Sequence, residues 1–129
     1  MAKLVKSIYT NSDVTALGEM TLTDAIEHPV AGTVTTDNDG SFDMNATNNF
    51  ACTPTGSITL TFTNITAGQS GNIWLDNSAG VAISAASTTY ISAADLTTVS
   101  TAGVYRLSYF SNGTNVAVSV SQALTSAGA

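Results

Sequence analysis

From about Thr33 onward, apolar and polar side chains alternate with a period of two. In Ser-Ile-Thr-Leu-Thr-Phe-Thr-Asn, residues 57–64, threonines separate Ile58, Leu60 and Phe62. That is the pattern of a strand with one face buried and the other in solvent. Residues 72–76 place Ile73 and Leu75 on one face and Trp74 on the other. The turn formers Asp76-Asn-Ser-Ala-Gly80 then lead to Val81-Ala-Ile83, which predicts a hairpin. A second hairpin is predicted from residues 103–110 and 115–121, whose connection carries Asn112-Gly113, a pair in which both residues accept positive φ. Shorter strands are predicted at 41–45 and 88–91, while 93–99 fits a helical turn or a strand edge equally. Short strands at this spacing predict an all-β domain over 31–124, an antiparallel β-sandwich (jelly-roll-like) or small barrel, followed by a flexible tail at 125–129.

Residues 1–30 behave differently. Residues 3–8 suit a short strand, Leu17, Met20 and Leu22 alternate imperfectly, and Glu27-His-Pro29 closes the segment. A segment this short cannot bury its scattered apolar side chains alone. Leu4, Val5, Ile8, Leu17, Met20 and Leu22 are therefore the candidate contacts of an N-terminal extended arm that packs on another subunit or on a shell. The alternative is an ordinary first strand and loop of the same domain. No internal repeat or heptad run is visible.

Composition sharpens this picture. Charged residues make up 9% of the 129 residues, against about 25% in an ordinary soluble domain. Hydrophobic residues are 43%, so Thr, Ser and Asn have taken the place of charge. Such a surface is bland and hydroxyl-rich, or is covered by neighbours. The net charge is −6, with Lys3, Lys6 and Arg106 the only cations, which argues against nucleic acid and anionic membranes as partners. No apolar run approaches the roughly 20 residues of a membrane helix. The start lacks the apolar region of a secretory signal, so the chain is expected to be made in a cytoplasm and used as translated. Cys52 is the single cysteine, which excludes an internal disulfide.

Candidate chemistry is sparse. Asp37, Asp39 and Asp43 surround Gly40 and carry the hard oxygen ligands that calcium prefers, but their spacing departs from the calcium-loop pattern. A tight turn at Asn38-Asp-Gly40 between two strands is the simpler expectation. His28 is the only histidine and precedes Pro29, so neither a Ser-His-Asp arrangement nor a base for Cys52 is in view. Cys52 is expected to be a small buried apolar side chain. No catalytic residue, metal site or cofactor is predicted, and the chain reads as a non-enzyme. Trp74, Tyr90, Tyr105, Tyr109 and Phe110 form a candidate sugar-stacking set, with Trp74, Tyr105 and Tyr109 the proposed glycan-facing members; aromatics on strands more often fill cores or interfaces.

Two stretches carry a resemblance. Asn64-Ile-Thr-Ala-Gly-Gln-Ser-Gly71 with its following strand, and Gly103-Val-Tyr-Arg-Leu-Ser-Tyr-Phe-Ser-Asn-Gly-Thr-Asn115, resemble a β-domain recurring in small virion proteins of tailed bacteriophages. Ala16-Leu-Gly-Glu-Met20 with Asp24-Ala-Ile26 resembles a segment of phage fibre and decoration proteins. The resemblance implies a homo-trimer on the capsid exterior, a decoration or cement protein bound to the major capsid protein. The alternative it implies is a tail-fibre or adhesin component that recognises a host surface glycan. It brings no catalytic residues.

Overall fold

The computed structural model of the chain describes residues 32–126. Nine strands and one short helix make up the described part. The chain steps alternately between two sheets. Strands β1 (Val34–Thr36), β3 (Asn49–Cys52), β5 (Ser70–Asn77) and β7 (Thr89–Tyr90) belong to a six-stranded sheet. Strands β2 (Ser41–Asp43), β4 (Ile58–Thr63) and β6 (Ile83–Ala85) form a three-stranded sheet. After helix α1 (Ala93–Val99), the hairpin of β8 (Gly103–Ser111) and β9 (Val116–Val120) returns to the six-stranded sheet, whose order is β1-β3-β5-β8-β9-β7.

The all-β class matches the alternation, but the strand pairing differs from an antiparallel jelly roll or barrel. Five of the seven described strand pairings are parallel, and only β5–β8 and β8–β9 are antiparallel. Parallel neighbours need a crossover between them; for the four pairs from β1 to β6 that crossover is a strand of the opposite sheet, while β7 reaches β9 through α1 and β8. The result is a solenoid-like winding of unequal turns. The register advances 15 residues from Val34 to Asn49 and 23 from Asn49 to Asn72 in one sheet. In the other it advances 20 residues from Ser41 to Thr61 and 25 from Ile58 to Ile83.

The hairpin predicted over 72–83 is not formed. Asp76 Oδ1 accepts from the Ser78 N–H, and the Gly80 N–H donates to the Asn77 carbonyl, with Gly80 at φ 66°. These bonds make a corner that carries the chain from β5 into the other sheet, where β6 pairs in parallel with β4. The second predicted hairpin is present as β8–β9, with Asn112 and Gly113 in its turn. It lies between β5 and β7, and β8 is the only strand of its sheet running against the others.

The helix settles the ambiguity at 93–99. Ser92 caps it by accepting the Asp95 N–H at 3.0 Å, and Leu96 and Val99, three apart, turn to the core. That spacing places both on one helical face.

The two sheets enclose a single core. Inward residues of alternating strands, including Leu60, Ile73, Leu75 and Leu107, are fully buried, each worth about 1.5–3 kcal/mol of hydrophobic stabilisation. At the centre Phe42 packs on Phe50 and Phe62 with ring centroids 5.1 and 5.5 Å apart, and Phe62 meets Tyr109 at 5.1 Å. The tilted geometry suits the ring quadrupoles and ties β2, β3, β4 and β8 together.

Candidate ligand face on the six-stranded sheet

Strand alternation decides which side chains of the large sheet meet solvent. On β8 the buried positions are Tyr105, Leu107, Tyr109 and Ser111, while Arg106 and Phe110 are exposed. On β5, Ile73, Leu75 and Asn77 point inward and Asn72 and Trp74 outward. Registers align these outward residues across strands. Tyr90, Ala117, Phe110 and Ser70 form one row, and Ser119, Ser108, Asn72 and Asn49 the next. In the third row Arg106 faces Trp74, which faces Ala51. Beyond it Val104 lies between Asp76 and an isolated bridge to Leu124.

This face is broad, aromatic at both ends and polar in the middle. Trp74 is 55% exposed, Tyr90 61% and Phe110 54%. Arg106, the one cation among the described residues, donates from Nη1 to Asn72 Oδ1 at 3.3 Å, and the Ser108 hydroxyl approaches the same oxygen at 3.4 Å. A groove of about 210 Å³ runs between Tyr90 and Phe110 over Ala117, with Asn112 and Asn115 at its rim. A second, of about 260 Å³, is lined by Trp74, Val104 and residues 124–126.

The residues singled out from sequence divide accordingly. Trp74 offers its ring to solvent. Tyr105 and Tyr109, expected to face a glycan beside it, are instead only 2% and 3% exposed. Their hydroxyls donate to the Thr101 and Asn48 carbonyls, both at 2.8 Å, so they are core residues with satisfied polar tips. The outward aromatics are Trp74, Tyr90 and Phe110. The signal that separates them is parity: Arg106 must face solvent, Phe110 shares its face, and Tyr105 and Tyr109 share that of Leu107. Leu4, Val5, Ile8, Leu17, Met20, Leu22 and His28 lie outside the described residues.

The Asp37–Asp43 stretch is a turn whose carboxylates serve the backbone. Asp39 Oδ1 accepts the Ser41 N–H at 2.9 Å, and Asp43 Oδ1 accepts the Asn45 N–H at 2.9 Å and Asn64 Nδ2 at 2.7 Å. These donors hold the Asp43 carboxyl below the ordinary carboxylate range, the Asn64 amide contributing most. Asp37 is shifted the other way, first by burial and then by the charges of Asp39 and Asp43. Among the described residues no three acidic, His or Cys side chains converge as a metal site. Millimolar calcium is expected to leave the thermal midpoint unchanged; a rise that Asp39→Ala abolishes would make this turn a cation site.

Cys52 is fully buried and its thiol is pushed up to about 11, mainly by burial. The thiolate is the reactive form. At pH 8 that shift from 9.0 reduces the thiolate fraction roughly a hundredfold, before any steric shielding. Native protein should therefore react with a thiol-selective disulfide reagent at least a hundred times more slowly than protein in denaturant. Equal rates would show that the core opens at Cys52.

Comparison with family models, curated proteins and solved structures finds no match to the chain.

Proposed function

We propose that this chain is a non-enzymatic structural protein of a bacteriophage virion, a decoration protein that binds the outside of the assembled head and stabilises it. The observation that carries this reading is the outer face of the six-stranded sheet. Large apolar side chains (Val34, Trp74 and Leu124) stand exposed on it, among few charges. Exposed apolar side chains of this size suit an interaction surface, and aromatic anchors supply much of the energy of such contacts. The sequence resemblance supplies the class of partner, the major capsid protein, and an acidic chain of net charge −6 suits the exterior of a shell filled with DNA.

The physical role follows from mass action. A subunit that binds only the assembled lattice stabilises that lattice against disassembly. In a homo-trimer several modest contacts act together, because the first raises the effective concentration of the rest.

The test is stoichiometry in purified virus particles that carry the gene, measured by quantitative mass spectrometry. Decoration requires a copy number comparable to that of the major shell protein. A handful of copies per particle would instead place the chain in the tail, as a fibre or adhesin component.

A further inference from the structure

We infer that the groove between Tyr90 and Phe110 is a binding slot for a neutral pyranose ring. The inference holds whether the chain sits on a head, on a tail or elsewhere. Tyr90 and Phe110 are both paired in register with Ala117, one from each side. Two large rings therefore stand on alternate strands with a single methyl group between them. Strands two apart are separated by ~9.6 Å. A ring in contact with both walls sits about 3.5–4 Å from each, which requires roughly 7–8 Å between the walls, close to that strand spacing. Ala117 is exposed and forms the floor, and any larger side chain there would fill the slot.

The rim supplies what a sugar requires beyond stacking. Asn112 Oδ1 accepts the N–H groups of Thr114 and Asn115 at 2.9 and 2.8 Å. Those bonds fix its amide at the groove it lines. Asn115 places a second amide on the same rim. Apolar walls with a few placed polar groups are the usual make-up of a small-molecule site. The C–H face of a pyranose stacks on aromatic rings while its equatorial hydroxyls meet amides, so both halves of the slot are used.

Charge narrows the ligand further. Net charge is −6, and Arg106, the only cation among the described residues, shares its strand face with Phe110 but lies four residues away. That places it ~13–14 Å along the strand, too far to neutralise a sulfate or carboxylate in the slot. Neutral hexoses are favoured over acidic sugars. The slot also lies at the opposite end of the face from Trp74, so a partner on the Trp74 end would leave it open.

The experiment is saturation-transfer NMR on the full chain with methyl glycosides of glucose, galactose, mannose, N-acetylglucosamine and rhamnose, each at millimolar concentration. At least one is expected to show transfer to its ring protons. Amide shifts in the labelled protein should cluster at residues 90, 110, 115 and 117. Ala117→Leu, an outward change on an exposed position, is expected to weaken that binding at least tenfold, and Phe110→Ser likewise, while Trp74→Ala leaves it within twofold. The inference is overturned if none of the five glycosides binds, if binding survives Ala117→Leu, or if Trp74→Ala is the variant that removes it. It is equally overturned if the protein self-associates through this slot, seen as a concentration-dependent sedimentation coefficient that Ala117→Leu abolishes.

Discussion

Replacing Gly71 with alanine is expected to lower the unfolding free energy by about 4 kcal/mol, read as a shift in the urea midpoint. Gly71 lies on β5, where the 44–48 loop crosses directly over the strand. A Cβ at this position would sit 1.7 Å from the Asn48 carbonyl oxygen and 2.7 Å from the Tyr109 hydroxyl. The first is a backbone atom, so no rotamer change relieves it, and the loop itself must move. That carbonyl accepts the Asn72 N–H at 3.2 Å and the Tyr109 hydroxyl at 2.8 Å. Gln69 Nε2 further holds the loop through Met44 O and Asn48 Oδ1, at 2.9 and 2.8 Å. Displacing the loop therefore costs overpacking strain together with several hydrogen bonds, one of them to a buried tyrosine. Gly56→Ala makes a clean control, since nothing lies within 4 Å of a Cβ there. A Gly71→Ala protein with the stability of that control would mean that the loop does not lie against β5 in solution.

The second large effect is expected at Asn77, where substitution by leucine should cost about 3 kcal/mol or more. Asn77 is a fully buried polar residue at the end of β5. Its Nδ2 donates to the carbonyls of Val81 at 3.0 Å and Val99 at 2.7 Å, and its Oδ1 accepts the Val81 N–H at 2.9 Å. One amide thus ties the strand end to the following corner and to the last turn of α1. Leucine fills much of the same space but leaves two carbonyls and an N–H without partners, and the penalty falls on those groups rather than on the lost side chain. Asn77→Asp should be worse at neutral pH, because a carboxylate would face two carbonyl oxygens. Its folded-state pKa would be raised, so the variant should regain stability as pH falls through that value toward the unfolded carboxyl pKa of about 3.9. Ala79→Ser, on an exposed position of the same corner, should change stability by less than about 0.5 kcal/mol. Equal melting of the Asn77→Leu and Ala79→Ser proteins would remove the amide from this role.

Much of this fold can be read directly from the residues, and the remainder is hidden for physical reasons. Ile58, Leu60 and Phe62 among threonines announce a half-buried strand because side-chain direction alternates whatever the partner. The same alternation is blind to strand direction, so β4 looks alike whether paired in parallel or antiparallel. Asp76-Asn-Ser-Ala-Gly80 has the composition of a hairpin turn, yet the same Asx bonding and positive-φ glycine build a corner between sheets. The solenoid itself leaves no sequence period, because its turns advance by 15, 23, 20 and 25 residues. At the candidate site, the position of Trp74 between Ile73 and Leu75 is enough to place it in solvent. Tyr105 and Tyr109 are misassigned when aromaticity is weighed ahead of their shared parity with Leu107. The slot over Ala117 depends on β7 lying beside β9, a parallel pairing of residues far apart in sequence that no local pattern reports.

That pairing also dictates the order in which the chain can finish folding. Strand β7 is the last of the alternating series, yet it does not sit next to β5; the β8–β9 hairpin, translated later, occupies the place between them. The strand partners of Thr89 and Tyr90 are Val116 and Ala117. Until the β8–β9 hairpin is in place, the turns up to β6 can wind, but the sheet edge at β5 stands open and β7 lacks its strand partner. Completion therefore waits for the β8–β9 ribbon, which closes the edge at β5 and pairs with β7. A chain lacking β9 would expose an unpaired edge of the kind that recruits other chains, which makes the β8–β9 ribbon a safeguard of this fold against aggregation.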